Sequence, residues 1–244
     1  MKRLYLLFLF LLLVGHGAWA QFWQSKRLEA TAGLGPTFFF GDVGGFSNGT
    51  NALGFKDFTF LQTRADFDVS LKYRLKEDIN IRLSLSGGQF NATDRRGSNN
   101  WRELQSSTEF FRPAVMGEYY LVKNRIEGSY MFQRKGQRMA VGFKDAIDFY
   151  VFAGIGGMSY SVEANAALEE RVKDFDSDGF AVVVPVGAGT KYVYSQRFDF
   201  GAELCGHYIF SDNIDGYTSQ YSKHNDVYYS LNFFVVCKIN TGGR

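Results

Sequence analysis

His207 is the residue whose surroundings most resemble a reactive centre. Asp199 and Glu203 precede it by eight and four positions in the run 197–210. In an extended chain side chains alternate between two faces, so all three stand on one face. A histidine flanked by carboxylates can act as a general base, and a lipid-modifying enzyme of a membrane rim could use one. The same three residues also suit a buried salt-bridge network in which the imidazole is only hydrogen-bonded. The rest of the chain favours that second role.

Other reactive patterns are weaker. Asp174, Asp176, Asp178 and Gly179 form D-x-D-x-D-G, which begins like a calcium loop. The twelfth position is Pro185 where an EF-hand carries Glu, and strand-like residues follow where a helix is needed. A solvated turn is expected there. Gly33-Leu34-Gly35 and Gly154-Ile155-Gly156-Gly157 sit within strand-like runs and open no helix, so they read as packing glycines, not phosphate cradles. His224 lies in a loop with Lys223 and Asp226, and no His/Cys pair has metal-ligand spacing. No catalytic, cofactor or metal residues are therefore expected.

Elements must position whatever chemistry remains, and the stretch 62–86 sets the pattern. Thr63, Ala65, Phe67, Val69 and Leu71 alternate with Arg64, Asp66, Asp68, Ser70 and Lys72. After Lys76, Glu77 and Asp78 the alternation resumes with Ile79, Ile81, Leu83 and Leu85 against Asn80, Arg82, Ser84 and Ser86. This is a two-faced hairpin with a short charged turn. Comparable runs cover about 28–39, 108–122, 147–159, 179–194, 197–210 and 227–240. Eight strands result. The connections 40–58, 91–107, 160–178 and 211–226 are long and polar, and those after the second and sixth strands are short. That parity is how outer-membrane barrels are built, with long outer loops and short inner turns. The link 123–146 breaks it. The link carries Lys123, Arg125, Arg134, Lys135, Arg138 and Lys144 against Glu127 and Asp145. It is either a periplasmic extension, with Arg134, Lys135 and Arg138 as a partner surface, or a fifth hairpin making ten strands. The runs 130–133 and 138–143 are shorter than the ~9–11 residues a tilted span needs, which favours eight.

Export and composition agree with a barrel. Lys2 and Arg3 precede an apolar run from Leu4 to Val14, and Ala18-Trp19-Ala20 follow, the layout of a cleaved signal peptide over residues 1–20. Its removal lowers Lys plus Arg from 27 to 25, against 25 Asp plus Glu, so the remainder (21–244) is formally neutral and shows no bias toward nucleic acid. Aromatic content of 17% with 27 Gly and 3 Pro suits strands ringed by aromatic girdles. Cys205 and Cys237 fall on opposite faces of their strands and cannot bridge, so two free thiols are expected.

Alternation therefore predicts an all-β, eight-stranded antiparallel transmembrane barrel in the cell outer membrane. Its apolar face meets lipid, and insertion requires the barrel-assembly machinery. Its inward face collects Glu29, Arg64, Asp66, Asp68, Lys72, Arg74, Arg82, Arg112, Glu118, Asp148, Lys191, Asp199, Glu203 and His207. An eight-strand lumen is only about wide enough for its own side chains, so these charges must pair and plug it. The inward pairs Gly33/Gly35, Gly154/Gly156 and Gly187/Gly189 make room for bulky neighbours.

Several segments carry a resemblance. They are Ala181-Val-Val-Val-Pro185-Val-Gly187-Ala-Gly189-Thr-Lys191-Tyr, Phe198-Asp-Phe-Gly201-Ala-Glu203-Leu, Phe210-Ser-Asp212-Asn-Ile-Asp215-Gly216, Phe40-Gly41-Asp42-Val-Gly44 and Tyr150-Val-Phe-Ala153-Gly154-Ile-Gly156. Together with Gly33-Leu-Gly35 they resemble the small outer-membrane β-barrels of Bacteroidetes that include the PorG-like component of the type IX secretion apparatus. The resemblance reaches most strands. It implies an eight-strand barrel without enzymatic activity and, for the secretion member, contact with periplasmic secretion-complex proteins. The chain departs from that pattern in its long 123–146 link and in a terminus reading Asn240-Thr-Gly-Gly-Arg244 in place of an aromatic strand end.

Overall fold

The computed structural model describes residues 27–41, 43, 62–94, 100–124, 143–172, 177–211, 213–217 and 225–239. The expected leader at 1–20, the basic residues Arg134, Lys135 and Arg138, the loop acids Asp174 and Asp176, and His224 lie outside the described residues.

Eight strands, β1 (Leu28–Phe40), β2 (Arg64–Arg74), β3 (Ile79–Thr93), β4 (Gln105–Val122), β5 (Ile147–Ala164), β6 (Asp178–Val193), β7 (Phe198–Ile209) and β8 (Val227–Ile239), form a closed barrel in sequence order. Every neighbouring pair is antiparallel, and β1 closes on β8 from Leu28↔Ile239 to Phe40↔Val227. β4 pairs directly with β5, so no extra hairpin enters the sheet between them and the ten-strand alternative is excluded. Its short runs lacked the reach of a full strand.

The two ends differ. At the turn end, Leu75 N donates to Ile79 O at 2.9 Å across the β2–β3 turn. Between β6 and β7 the Ser195 hydroxyl accepts from the backbone N–H of Arg197 (3.2 Å) and Phe198 (2.9 Å), a serine-built turn. At the loop end a short helix, α1 (Ala166–Arg171), is capped by Asn165, whose Oδ1 accepts from Leu168 N at 3.1 Å. No helix among the described residues is long and apolar enough to cross a membrane.

β3, β4 and β5 run further toward the loop end than their alternation indicated. The expected loops at 91–107 and 160–178 are partly strand. The reason is a reversal of polarity. On β5, the outward residues Phe149, Val151 and Ile155 give way to exposed Ser159, Ser161 and Glu163. The inward side changes in the opposite sense, from Asp148 to buried Met158, Tyr160 and Val162. Phe90, Phe110, Met158, Tyr160, Ile209 and Tyr228 then fill the loop-end lumen as an apolar core, sealed by Val43, Leu104, Leu168 and Ile214. Phe90 stacks on Phe110 at 4.4 Å and meets Phe39 at 5.1 Å and Tyr228 at 4.7 Å between ring centroids.

The β1–β8 seam depends on a close approach at Gly35. A Cβ there would stand 1.9 Å from the carbonyl oxygen of Leu231. Gly35→Ala should therefore force the seam apart at about 1–3 kcal/mol, the usual cost of overpacking. The check is urea unfolding in micelles, where Gly117→Ala, with nothing within 4 Å of its Cβ position, should unfold as the native chain does.

Candidate functional site

The site has two surfaces, an outer apolar belt and an inner stack of charges. Pleating alternates them along every strand. Outward, Phe67, Leu71, Leu83, Leu85, Val115, Phe149, Ile155, Val186, Leu204, Phe233 and Val235 are exposed around the barrel. On β4 the apolar outward run from Phe111 to Leu121 matches the ~9–11 residues that a tilted membrane strand needs. Tyr73, Tyr119, Tyr194 and Phe198 mark its turn end, and Phe111, Phe180, Tyr208 and Phe210 its loop end.

Inward, the charges lie in three layers. Nearest the turn end, Lys191 Nζ reaches Glu29 (3.4 Å), Asp148 (3.5 Å) and Asp199 (3.7 Å). Lys238 pairs with Asp199 at 2.8 Å, Arg74 pairs with Glu29 at 3.2 Å, and Asn124 N donates to Asp148 at 2.6 Å. The middle layer joins Lys72, Arg82, Glu118 and Glu203. Lys72 Nζ lies 3.0 Å from Glu118 and 3.5 Å from Glu203. Arg82 donates to both carboxylates, its Nη1 reaching Glu203 Oε2 at 2.7 Å. The Tyr150 hydroxyl donates to Glu203, and Asn80 Nδ2 donates to Glu118 at 3.3 Å. Lys72 sits 5.2 Å from the ring centroids of Tyr150 and Phe234, and Arg82 sits 4.9 Å from that of Phe152. In the third layer Asp68 accepts from Ser84 and Ser86. Arg112 donates to Tyr228 Oη and to Ser86 Oγ, each at 2.6 Å, and to the ring of His207.

Apart from half-buried Asp68, these charges are almost fully buried, and they are stable there because they pair and hydrogen-bond. The middle layer sets two cations against two carboxylates. The lowest sets Lys191, Lys238 and Arg74 against Glu29, Asp148 and Asp199. Arg64 lies half-buried at the loop end of β2, where its guanidinium donates to Thr63 O at 2.9 Å.

The apparent constellation of His207 with Asp199 and Glu203 does not assemble. At about 3.3 Å per residue, four and eight positions along a strand separate side chains by ~13 and ~26 Å. Each joins a different layer. The His207 ring stacks on Tyr228 at 4.0 Å between centroids, bonds Ser230 Oγ at 3.0 Å and is 1% exposed, so it has no contact with the lipid-facing surface. Cys205 is buried inward, Cys237 points outward, and both are free thiols. Asp178 is exposed at the start of β6. Among the described residues no group of three or more His, Cys, Asp and Glu is placed to hold a metal ion.

Sequence reading missed Lys238, Tyr150 and Tyr228. Lys238 was accessible by parity, since it alternates with Cys237 and Ile239. The tyrosines carried no such signal, because an aromatic residue fits either face.

The model of a domain of unknown function, DUF6089, matches residues 39–238. The chain belongs to the DUF6089 family. No curated protein matches it. Solved structures similar to this DUF6089 barrel include Neisserial surface protein A, 12% identical with a TM-score of 0.49 over 87% of this chain and 97% of that one. The N-terminal barrel domain of Pseudomonas aeruginosa OprF is 14% identical, TM-score 0.43, over 88% and 98%. The attachment invasion locus protein Ail of Yersinia pestis is 8% identical, TM-score 0.44, over 88% and 99%.

Proposed function

We propose that this chain is an outer-membrane barrel whose lumen is closed by ion pairs and which serves as a non-enzymatic anchoring component of a cell-envelope complex, such as the type IX secretion apparatus. The observation that carries the membrane reading is the exposed apolar belt wrapped around a closed barrel of buried charges. A water-soluble barrel would place these polarities the other way round. Above the belt, where Ser159, Ser161 and Glu163 face outward and the core turns apolar, the polarity is that of a soluble domain, so the loop end projects into water. The turn end then faces the periplasm. The secretion role rests on the resemblance drawn from Gly33–Gly35, the β5 glycines and the β6–β7 segment. The basic residues Arg134, Lys135 and Arg138 of the 123–146 link are the proposed contact with periplasmic secretion-complex proteins, attracting an acidic partner.

Two measurements on one strain test this. The protein should fractionate with the outer membrane and migrate faster on gels before heating than after. A photo-crosslinker at position 135 should capture a periplasmic protein in intact cells, and Arg134→Glu with Arg138→Glu beside it should abolish capture. A folded barrel in the outer membrane with no crosslinked partner would leave the membrane reading standing and sink the secretion role.

A further inference from the structure

We propose that Trp101 and Arg171, at the loop end, form a platform on which a ring of a neutral saccharide stacks. Trp101 belongs to a short 3-10 turn (Asn100–Arg102) and is 69% exposed. The Arg171 guanidinium lies 5.2 Å from its ring centroid. Among the described residues, neither that guanidinium nor the indole N–H has a hydrogen-bond or ion-pair partner. An exposed aromatic ring beside unused donors suits a ligand with an apolar face and an edge of oxygen acceptors. A pyranose ring has both, its axial C–H groups forming the face and its hydroxyls the edge.

The platform is held in place before any ligand arrives, which lowers the ordering cost of binding. Leu104 and Leu168 root its two halves in the loop-end core. Asn165 ties the halves together: its Nδ2 donates to Glu103 O at 2.9 Å, and its Oδ1 accepts from Gln105 N at 3.3 Å. Arg102 is fixed by two bonds to buried Asp94, at 2.9 and 3.0 Å. Between Trp101 and β4, Glu103 takes a φ of 52°, a left-handed backbone that only glycine adopts without strain. Strain of this kind concentrates at ligand sites.

The surroundings select the ligand. The other exposed residues of 101–105 and 165–172 are Glu103, Gln105, Ala166, Glu169 and Glu170. A protein partner would want a continuous apolar patch with few charges, which these two segments do not offer. Three carboxylates against the one unpaired cation disfavour a phosphorylated or uronic sugar. They suit hydroxyls, which donate to glutamate and accept from Arg171. Height agrees with this choice. From Phe111, at the edge of the belt, β4 runs on to Gln105, a climb of about 15 Å at the usual rise and tilt, so Trp101 clears the headgroup layer. Saccharide chains are what a bacterial outer surface carries at that level.

The test uses the full barrel refolded in neutral detergent micelles, with maltohexaose, mannohexaose and chitohexaose as neutral probes and hexagalacturonate as an acidic one. Saturation-transfer NMR should show contact with the ring C–H groups of at least one neutral probe and none with hexagalacturonate. Trp101→Ala should abolish the signal, and Arg171→Ala should weaken binding about tenfold, the loss of one charge-assisted hydrogen bond. Both side chains are exposed, so the variants should keep the barrel. No transfer to any neutral probe, or undiminished transfer in Trp101→Ala, would overturn the proposal. A signal from hexagalacturonate alone would overturn it too. This arm does not depend on the membrane reading, so the two can fail separately. A second arm finds the source of the sugar, with the barrel in nanodiscs of smooth lipopolysaccharide or of lipid A alone. Trp101 emission is taken as the difference between the native chain and Trp101→Phe. With the soluble arm positive, a blue shift in smooth lipopolysaccharide assigns the site to glycan of the same membrane, and equal emission assigns it to glycan from outside. Either result supports the platform.

Discussion

Arg82→Met should destabilise the barrel by about 3–5 kcal/mol, the largest single effect expected in the lumen. Arg82 donates to Glu118 and Glu203 at once, and Lys72 is their other cation. Methionine keeps most of the side chain's volume and removes the charge. Two buried carboxylates would then share one ammonium, and the dehydration cost of the second would stand unopposed. Arg82→Lys should recover only part of the loss, because an ammonium cannot span two carboxylates with a planar fork. The double variant Arg82→Met with Glu203→Gln should be more stable than Arg82→Met alone, since it removes the orphaned charge. Urea unfolding in micelles followed by tryptophan fluorescence measures all three. A double variant no better than the single one would refute the pairing as the source of the effect. Planar-bilayer recording adds a second readout: the native barrel should show no steady conductance, and loss of the middle layer should permit ion leakage.

Leu83→Arg should cost about 2–4 kcal/mol if Leu83 lies near the bilayer midplane. Leu83 is half-exposed on the outer surface, with Leu71 and Val115 as its cross-strand partners. In hydrocarbon its replacement brings a guanidinium into the most apolar part of the belt. The matched control is Ser161→Arg. Ser161 also faces outward, but its partners are Glu109 and Asp178, and its surroundings belong to the polar projection. That change should stay within about 0.5 kcal/mol. The comparison, by equilibrium unfolding from lipid vesicles, locates the edge of the membrane as well as testing for one. Equal costs at the two positions would refute the assignment of the belt to lipid.

Which residues face inward was legible in the sequence, because period-two alternation is a property of the strand alone. Arg82, Glu118 and Glu203 could be placed on the inner face from their neighbours. That Arg82 meets Glu203 was not legible. They are 121 positions apart, on β3 and β7, and they meet only because the sheet closes on itself. His207 shows the complementary error. Equal parity put it on the same face as Asp199 and Glu203, but parity says nothing of height, and height separates them into three layers. The loop-end tips of β3, β4 and β5 (91–93, 105–107 and 160–164) were read as loops for a third reason. Ser159, Ser161 and Glu163 still alternate with Met158, Tyr160 and Val162, but in the opposite sense. A search for apolar-outward strands stops where the solvent outside changes from lipid to water.

The pairing of Leu28 with Ile239 ties together two ends of the chain. This contact spans nearly the whole described sequence, and loop-closure entropy makes such contacts late ones. Until β8 meets β1, the acidic and basic side chains of the lumen are solvated by water on an open, curling ribbon. Their dehydration and their pairing are thus one event, timed by the first strand finding the last. Folding should accordingly be all-or-none and slow, with few partly zipped species that retain even one complete layer of ions.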